Sequence, residues 1–279
     1  MVLVGEKNRG LEVQPGTWIY GTFFGGGWEG ASIYFAQGWL SGSTLAITRV
    51  YRCEDDLDLC GMIRYSRGPW CLDFPFALPV DIYQQVPLRD WRALLDFVSN
   101  SQLPQFEADL YTLGIDDRQN FCQHPDDGCR ITDAESGAFS PLKRWHPNRL
   151  EMTLRGLKLL GSLKRYGVSV YPFDEPDRTR PRLYEVNPAN TLARFGMEKK
   201  GAPWDFVAAF NRREGRAVEI APLPDTLPWE YALEAVVSCV TLANAIVAFD
   251  LDEWWNVKPA CATALEWEVR QKEGLIVRL

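Results

Sequence analysis

A short apolar run that ends on a carboxylate does most to restrict how this chain can fold. The turn at Gly68-Pro69 is followed by Trp70-Cys71-Leu72, which is typical of a buried strand. The strand ends on Asp73, because the prolines that follow prevent it from continuing. Open α/β folds place their chemistry at the carboxyl ends of strands. Asp73 is therefore a candidate site residue, although an aspartate before a proline-containing loop also serves simply to cap a turn.

Runs of aromatic and β-branched residues predict further strands on both sides of this segment. The first three runs are joined by Gly-rich or Ser-Gly turns, which favour an antiparallel meander. A helix predicted at 54–66 precedes the 70–73 strand, so we expect that strand to pair in parallel through a crossover. The 17–24 strand should be central and adjacent to it. The six strands predicted for one sheet are 17–24, 32–40, 45–51, 70–73, 168–173 and 182–186.

The middle of the chain is predicted to be mainly helical. Apolar side chains recur at helical spacing over 88–100, and a long helix is expected over 147–166. The intervening residues 101–147 are rich in loop-forming residues. We therefore expect an α/β fold with a mixed sheet flanked by helices. It should form one domain over 1–279, with 88–166 as a mainly helical insertion.

Two prolines predict helix starts in the second half of the chain, since proline is favoured in the first helical turn. Pro188 follows a predicted strand, and Pro228 precedes an apolar stretch that ends near Phe249. That stretch contains Ser238, Thr241 and Asn244, so it predicts a buried helix and not a membrane span.

Composition narrows the classes of function. The 279 residues include 37 Asp or Glu and 30 Lys or Arg, giving a net charge of -7. This charge argues against general nucleic-acid binding, which needs clustered cations. The N-terminus reaches charged residues early and lacks the apolar region of a signal peptide. Seven cysteines without a paired framework predict reduced thiols and a cytoplasmic location.

Seven separated stretches are similar, in order, to the sequence blocks of one family. They include an Asp-x-Pro-Phe-x-Leu-Pro signature, an Arg-x-Thr-Asp segment and a strand Glu followed by Pro. The stretches are GTFFGGG at 21–27, LDFPFALP at 72–79, RITDAESGAFSP at 130–141, GVSVYPFD at 167–174, YEVNPANTLARFG at 184–196, ALEAVVSCV at 232–240 and EGLIVRL at 273–279. The family that they resemble is the domain of unknown function 429 family, a group of predicted nucleases with an RNase-H-like fold.

The resemblance implies a site in which carboxylates hold Mg²⁺ or Mn²⁺ and support phosphodiester cleavage. The matching carboxylates are Asp73, Glu185 and Glu234, expected as catalytic residues and metal ligands in one cleft beside Gly25–Gly27. Two positions depart from the family pattern. Phe23 stands where the first strand has an aspartate, and Glu234 replaces an aspartate in the last helix. Because phenylalanine cannot bind a metal ion, we expect weak or absent nuclease activity.

Two of these carboxylates also have purely structural interpretations. Glu185 is equally expected as a buried acid paired with an arginine, either Arg130 or Arg182. Glu234 is equally expected as an acid near a helix N-terminus, where the helix dipole favours it.

Substrate binding is predicted for four residues near these blocks. Gly25 and Gly26 follow a strand and lack side chains, so a phosphate can approach their backbone. Arg130 and Asp133 are the other two, with a structural ion pair between them as the alternative. The basic run at 143–165 is expected to be a solvated helix face more than a phosphate-binding surface.

A metal pattern of another kind lies in the middle of the chain. Cys122, His124 and Cys129 form a Cys-x-His-x₄-Cys sequence. A structural zinc site usually has four ligands and Cys-x-x-Cys spacing, which this pattern lacks. Whether these three residues bind a metal stays open.

The leading hypothesis is an RNase-H-like protein that resembles divalent-metal-dependent nucleases but has a degraded metal site. Its expected partner is nucleic acid or a nucleotide, and no membrane is expected. The alternative is a non-catalytic binding or assembly protein that retains the fold. An ATP-binding relative is disfavoured, because the Gly-rich segment lacks Lys and the spacing of a nucleotide-binding phosphate loop.

Overall fold

A computed structural model describes most of the chain and forms one mixed sheet of eight strands within the described residues. The strands are β1 (Thr17–Phe24), β2 (Ile33–Ser41), β3 (Thr44–Cys53), β4 (Pro69–Leu72), β5 (Ser169–Val170), β6 (Arg182–Val186), β7 (Val218–Ile220) and β8 (Ile276–Val277). The described residues are 16–25, 32–85, 88–112, 129–144, 148–175, 177–224, 226–249, 251, 258 and 262–279.

The sheet has the order β5-β6-β4-β1-β2-β3-β7, and β8 also pairs with β6. Strands β1, β2 and β3 form the antiparallel meander that the sequence predicts. Strand β4 pairs in parallel with β1 and with β6, so the expected crossover and the central place of β1 are confirmed. All six predicted strands lie in this sheet, and the α/β prediction with a mixed, helix-flanked sheet is confirmed.

Ten helices are formed by the described residues, and they cover both faces of the sheet. Several begin with a side-chain cap: Asp90 Oδ1, for example, accepts a hydrogen bond from the backbone N–H of Ala93 at 2.9 Å. The helices are α1 (Asp56–Tyr65), α2 (Val80–Gln85), α3 (Trp91–Ser99), α4 (Leu103–Thr112), α5 (Ile131–Ser136), α6 (Arg149–Lys164), α7 (Pro188–Arg194), α8 (Pro203–Glu214), α9 (Trp229–Phe249) and α10 (Ala264–Glu273).

The structure corrects two predictions of local structure. The region 101–147, predicted as mostly loop, contains α4 and α5. The strand predicted at 168–173 is confined to Ser169–Val170, because Pro172 has no N–H with which to extend the ladder. Phe173 instead donates its backbone N–H to the Val170 carbonyl at 2.8 Å and closes a turn.

Two hydrophobic cores lie on opposite faces of the sheet. Helices α1, α3, α4 and α6 contribute to the first core, so the 88–166 segment supplies much of one helical layer. Helices α7, α8 and α9 contribute to the second. Gly21 lets α9 approach β1 closely, since a Cβ there would lie 2.0 Å from the backbone N of Cys239.

Helix α9 is the predicted apolar helix. Its length and composition would allow it to span a membrane, but 78% of its apolar window is buried inside the fold. The sequence-based prediction of a buried core helix is therefore confirmed.

Candidate functional site

Asp73 directly follows β4, at the carboxyl end of the parallel part of the sheet. Its side chain is buried, and its backbone N–H donates to Thr22 Oγ1 at 3.3 Å. Thr22 Oγ1 in turn donates to the Cys71 carbonyl at 3.1 Å, which fixes the end of β4 against β1. Among the described residues, none donates a hydrogen bond to the Asp73 carboxylate.

Glu234 lies near Asp73, in the second turn of α9. One turn later, Ser238 Oγ donates to the Thr22 carbonyl at 2.9 Å, which places this part of α9 against the same end of β1. Glu234 is buried, and its Oε2 accepts from Lys199 Nζ at 3.1 Å. Glu234 and Asp73 interact electrostatically, so the structure brings these two predicted carboxylates together.

Burial raises the pKa of Asp73 to about 8, and the negative charge of Glu234 adds to the effect. Arg149 and Lys199 act against this rise. Burial also raises the pKa of Glu234, while its ion pair with Lys199 lowers it. Two acids that share a buried site do not both ionise readily.

Glu185 also acts electrostatically on Asp73, but its oxygens are already occupied. Arg130 Nη1 and the backbone N–H of Phe76 both donate to Oε2, at 2.8 and 2.9 Å. Arg130 Nη2 donates to Oε1 at 2.5 Å. Burial raises the pKa of Glu185, and the Arg130 guanidinium opposes that rise. Of the two alternatives for Glu185, the structure shows the ion pair with Arg130.

Arg130 and Asp133 form the structural ion pair that was the alternative to substrate binding. Arg130 Nε and Nη2 each donate to an Asp133 carboxylate oxygen at 2.7 Å, and both side chains are fully buried. The predicted substrate-binding role needs atoms that a ligand can reach, and neither side chain offers one here.

Gly25 lies at the end of β1, and its carbonyl accepts from Arg155 Nη1 at 2.9 Å. Gly26 and Gly27 lie outside the described residues, as does the phosphate contact predicted at Gly26. Arg155, in the basic run at 143–165, also pairs with Asp56 of α1.

The cysteine and histidine pattern is described only at Cys129, which is disulfide-bonded and is therefore no thiolate ligand. Cys122 and His124 lie outside the described residues. The prediction of reduced thiols holds for four other cysteines and is wrong at Cys129. The four free, buried thiols are Cys53, Cys60, Cys71 and Cys239.

Phe23 occupies the β1 position where the family resemblance has an aspartate. Its ring stacks on Tyr231, with centroids 4.8 Å apart and planes inclined by 11°. Tyr231 also contacts the ring of Tyr34, with a centroid distance of 5.4 Å. This β1 position therefore belongs to an aromatic cluster between the sheet and the first turn of α9.

The remaining donors do not fit a two-metal centre. Such a centre needs several carboxylates around two ions. Glu185 is bound by Arg130, and position 23 has no oxygen ligand, so Asp73 and Glu234 remain. No group of three His, Cys, Asp or Glu side chains suited to a metal ion occurs in the part of the chain that the structure describes.

One buried acid was missed by sequence reasoning. Glu273, at the end of α10, accepts the backbone N–H of Val80 at 2.7 Å and that of Ile131 at 2.8 Å. Burial raises its pKa to about 7. Arg130 Nη1 also donates to its carbonyl at 3.2 Å. Glu273 is the first residue of the EGLIVRL stretch. Its burial depends on long-range contacts that the sequence alone does not show.

Comparison with known proteins adds no relative. No protein-family model matches the chain, and no match was found among curated proteins or solved structures.

Proposed function

We propose that this chain is an RNase-H-like protein whose nuclease centre is reduced to Asp73 and Glu234, and that it binds nucleic acid or a nucleotide without efficient cleavage. The observation that carries this proposal is the stacking of Phe23 on Tyr231 at the position of the expected metal-bridging aspartate. An aromatic ring there supplies no ligand, and Mg²⁺ binds poorly when hard oxygen ligands are missing.

The sheet arrangement supports the RNase-H-like part of the proposal. An antiparallel meander, β1 to β3, is followed by parallel strands β4 and β6 on the other side of β1. Asp73 lies at the carboxyl end of β4, next to the central strand, as the family resemblance implies. The proposed class of partner, nucleic acid or a nucleotide, rests on that resemblance alone.

A second candidate, a residual metal-dependent phosphodiesterase, is favoured by one specific observation. Asp73 is buried beside Glu234, and its carboxylate receives no hydrogen bond from the described residues. A divalent ion would need both carboxylates ionised and would compete with Lys199 for Glu234. In this candidate, those two side chains would hold the ion, and the ion would activate water.

A cleavage assay separates the two candidates. Labelled single-stranded and double-stranded DNA and RNA are incubated with Mg²⁺ or Mn²⁺ and the wild type, Asp73→Asn or Glu234→Gln. The proposal expects the wild type to cleave no faster than either variant, while gel-shift assays detect binding by all three. Metal-dependent cleavage that Asp73→Asn abolishes would establish the second candidate instead. Absence of both cleavage and binding would reject both candidates.

A further inference from the structure

A cleft of about 520 Å³ opens between α1 and the antiparallel strands, away from the Asp73 site. Its volume is in the range of sites that take small molecules. None of the candidate site residues Asp73, Glu185 and Glu234 lines it. Ligand binding in this cleft can therefore be tested independently of cleavage at the carboxylates.

Flat aromatic rings form the inner wall of the cleft. Tyr20 and Trp70 stack with centroids 4.2 Å apart and an interplanar angle of 10°. Phe35 and Tyr51 stack at 4.9 Å and 20°. Tyr65 of α1 also lines the cleft and leaves 78% of its surface exposed. Trp70, Phe35 and Tyr20 are buried, so the rings that a ligand can reach are those of the partly buried Tyr51 and the exposed Tyr65. A planar aromatic ligand can stack on these rings or pack edge to face against them.

Gly61 lines the α1 side of the cleft and leaves space there, because it has no side chain. It is an interior residue of α1, where glycine is unfavourable relative to alanine. A Cβ at this position would meet nothing within 4 Å, so neither packing nor backbone conformation requires glycine. A larger side chain at this position would reduce the open volume of the cleft.

The polar groups of the cleft include both acceptors and donors of hydrogen bonds. Asp58 lines the cleft, and its Oδ2 already accepts the backbone N–H of Glu54 at 3.1 Å, so Oδ1 is the oxygen left for a ligand. The Gln37 side-chain amide forms no hydrogen bond to a described residue and so offers an acceptor and a donor. Tyr51 Oη accepts from Arg49 Nη1 at 3.2 Å and keeps its own proton for donation. A carboxylate beside the aromatic wall favours a ligand with N–H donors and disfavours a phosphate at the same place.

We propose that this cleft binds a planar aromatic heterocycle with exocyclic N–H donors, of the kind present in amino-bearing nucleobases. The ring packs against the Tyr51 side of the aromatic wall, and its amino group donates to Asp58 or Gln37. This inference goes beyond the proposed function and does not depend on it, because it rests on other residues and on binding alone.

Calorimetric titration of the full chain with adenosine, guanosine and cytidine tests the proposal. We expect saturable binding of at least one of them with Kd below about 1 mM, and at least about fivefold weaker binding of its N,N-dimethylated form. Gly61→Leu fills the cleft and should weaken binding at least about tenfold, whereas Gly61→Ala should stay within about threefold. Leucine and alanine are both good helix formers, and circular dichroism checks that both variants fold.

Three results would overturn the proposal. The first is no saturable binding of any of the three nucleosides by the wild type. The second is equal binding by the wild type and Gly61→Leu. The third is a wild-type dimer in sedimentation that Gly61→Leu converts to a monomer, which would assign the cleft to a second copy of the chain.

Discussion

The ring of Phe23 in β1 lies nearly parallel to the ring of Tyr231 in α9, with centroids 4.8 Å apart. The contact joins the central strand to the start of the core helix. Phe23 is the position where the family resemblance implies a metal-bridging aspartate. Position 23 is therefore devoted to packing between β1 and α9.

The first prediction concerns the free energy of this contact. A double-mutant cycle of Phe23→Ala and Tyr231→Ala in urea unfolding should give a coupling of about 0.5–1.5 kcal/mol, the range for stacked rings. The coupling arises because each ring loses its partner in the single variants. A coupling below about 0.3 kcal/mol, the level of non-interacting sites, would mean that the stack contributes nothing specific.

The second prediction concerns the buried ion cluster. Arg130→Met should lower the free energy of unfolding by about 3–5 kcal/mol, because Asp133 and Glu185 are left as unpaired buried acids. The matched control is Arg194→Met, which removes a partly exposed pair with Glu214 and should cost less than about 1 kcal/mol. A similar small loss for both variants would show that Arg130 is not structural and would reopen its substrate-binding role.

The third prediction concerns pH. Because burial and Glu234 raise the pKa of Asp73 to about 8, the folded state keeps a proton that the unfolded state releases near pH 4. The free energy of unfolding should therefore fall as pH rises from about 4 to 8. In Asp73→Asn, the loss of unfolding free energy between these pH values should be smaller by more than about 1 kcal/mol. The exposed control Asp96→Asn should show no such reduction. An unchanged slope in Asp73→Asn would mean that Asp73 ionises normally in the fold.

The fourth prediction compares two glycines. Gly21→Ala should destabilise the protein by about 1–3 kcal/mol or more, because the added Cβ collides with the α9 backbone at Cys239. Gly61→Ala should stabilise it by about 0.5–1 kcal/mol, because its Cβ enters open space on a helix. Thermal and urea unfolding of both variants measure these changes. Equal changes of the same sign in the stability of both variants would contradict the close contact at Gly21 and the open space at Gly61.

The central strands could be predicted from sequence because their patterns are local. Aromatic and β-branched runs marked β1 to β3, and the crossover through α1 fixed the direction of β4. Strand β7 was missed because it has three residues and is stabilised by a long-range parallel ladder with β3. Helix α8 could have been predicted from Pro203 in its first turn and from Gly215 at its C-terminal cap, where φ is 63°.

The site could be predicted only in part. Asp73 was found from the end of its strand, but the partner of Glu185 was left between two arginines. Strand alternation could have excluded Arg182, since residues three apart on β6 face opposite sides of the sheet. The choice of Arg130 depends on where α5 docks, and that is set by tertiary packing. The raised pKa of Asp73 likewise depends on contacts from elsewhere in the chain.

The most direct test of the account is Mn²⁺ titration of the wild type, Phe23→Asp and Asp73→Asn, followed by electron paramagnetic resonance of the free ion. The account predicts no saturable wild-type binding below about 1 mM and a gain of at least about tenfold in Phe23→Asp, because a third carboxylate joins Asp73 and Glu234. Tight wild-type binding that Asp73→Asn abolishes would contradict it and show an intact metal centre.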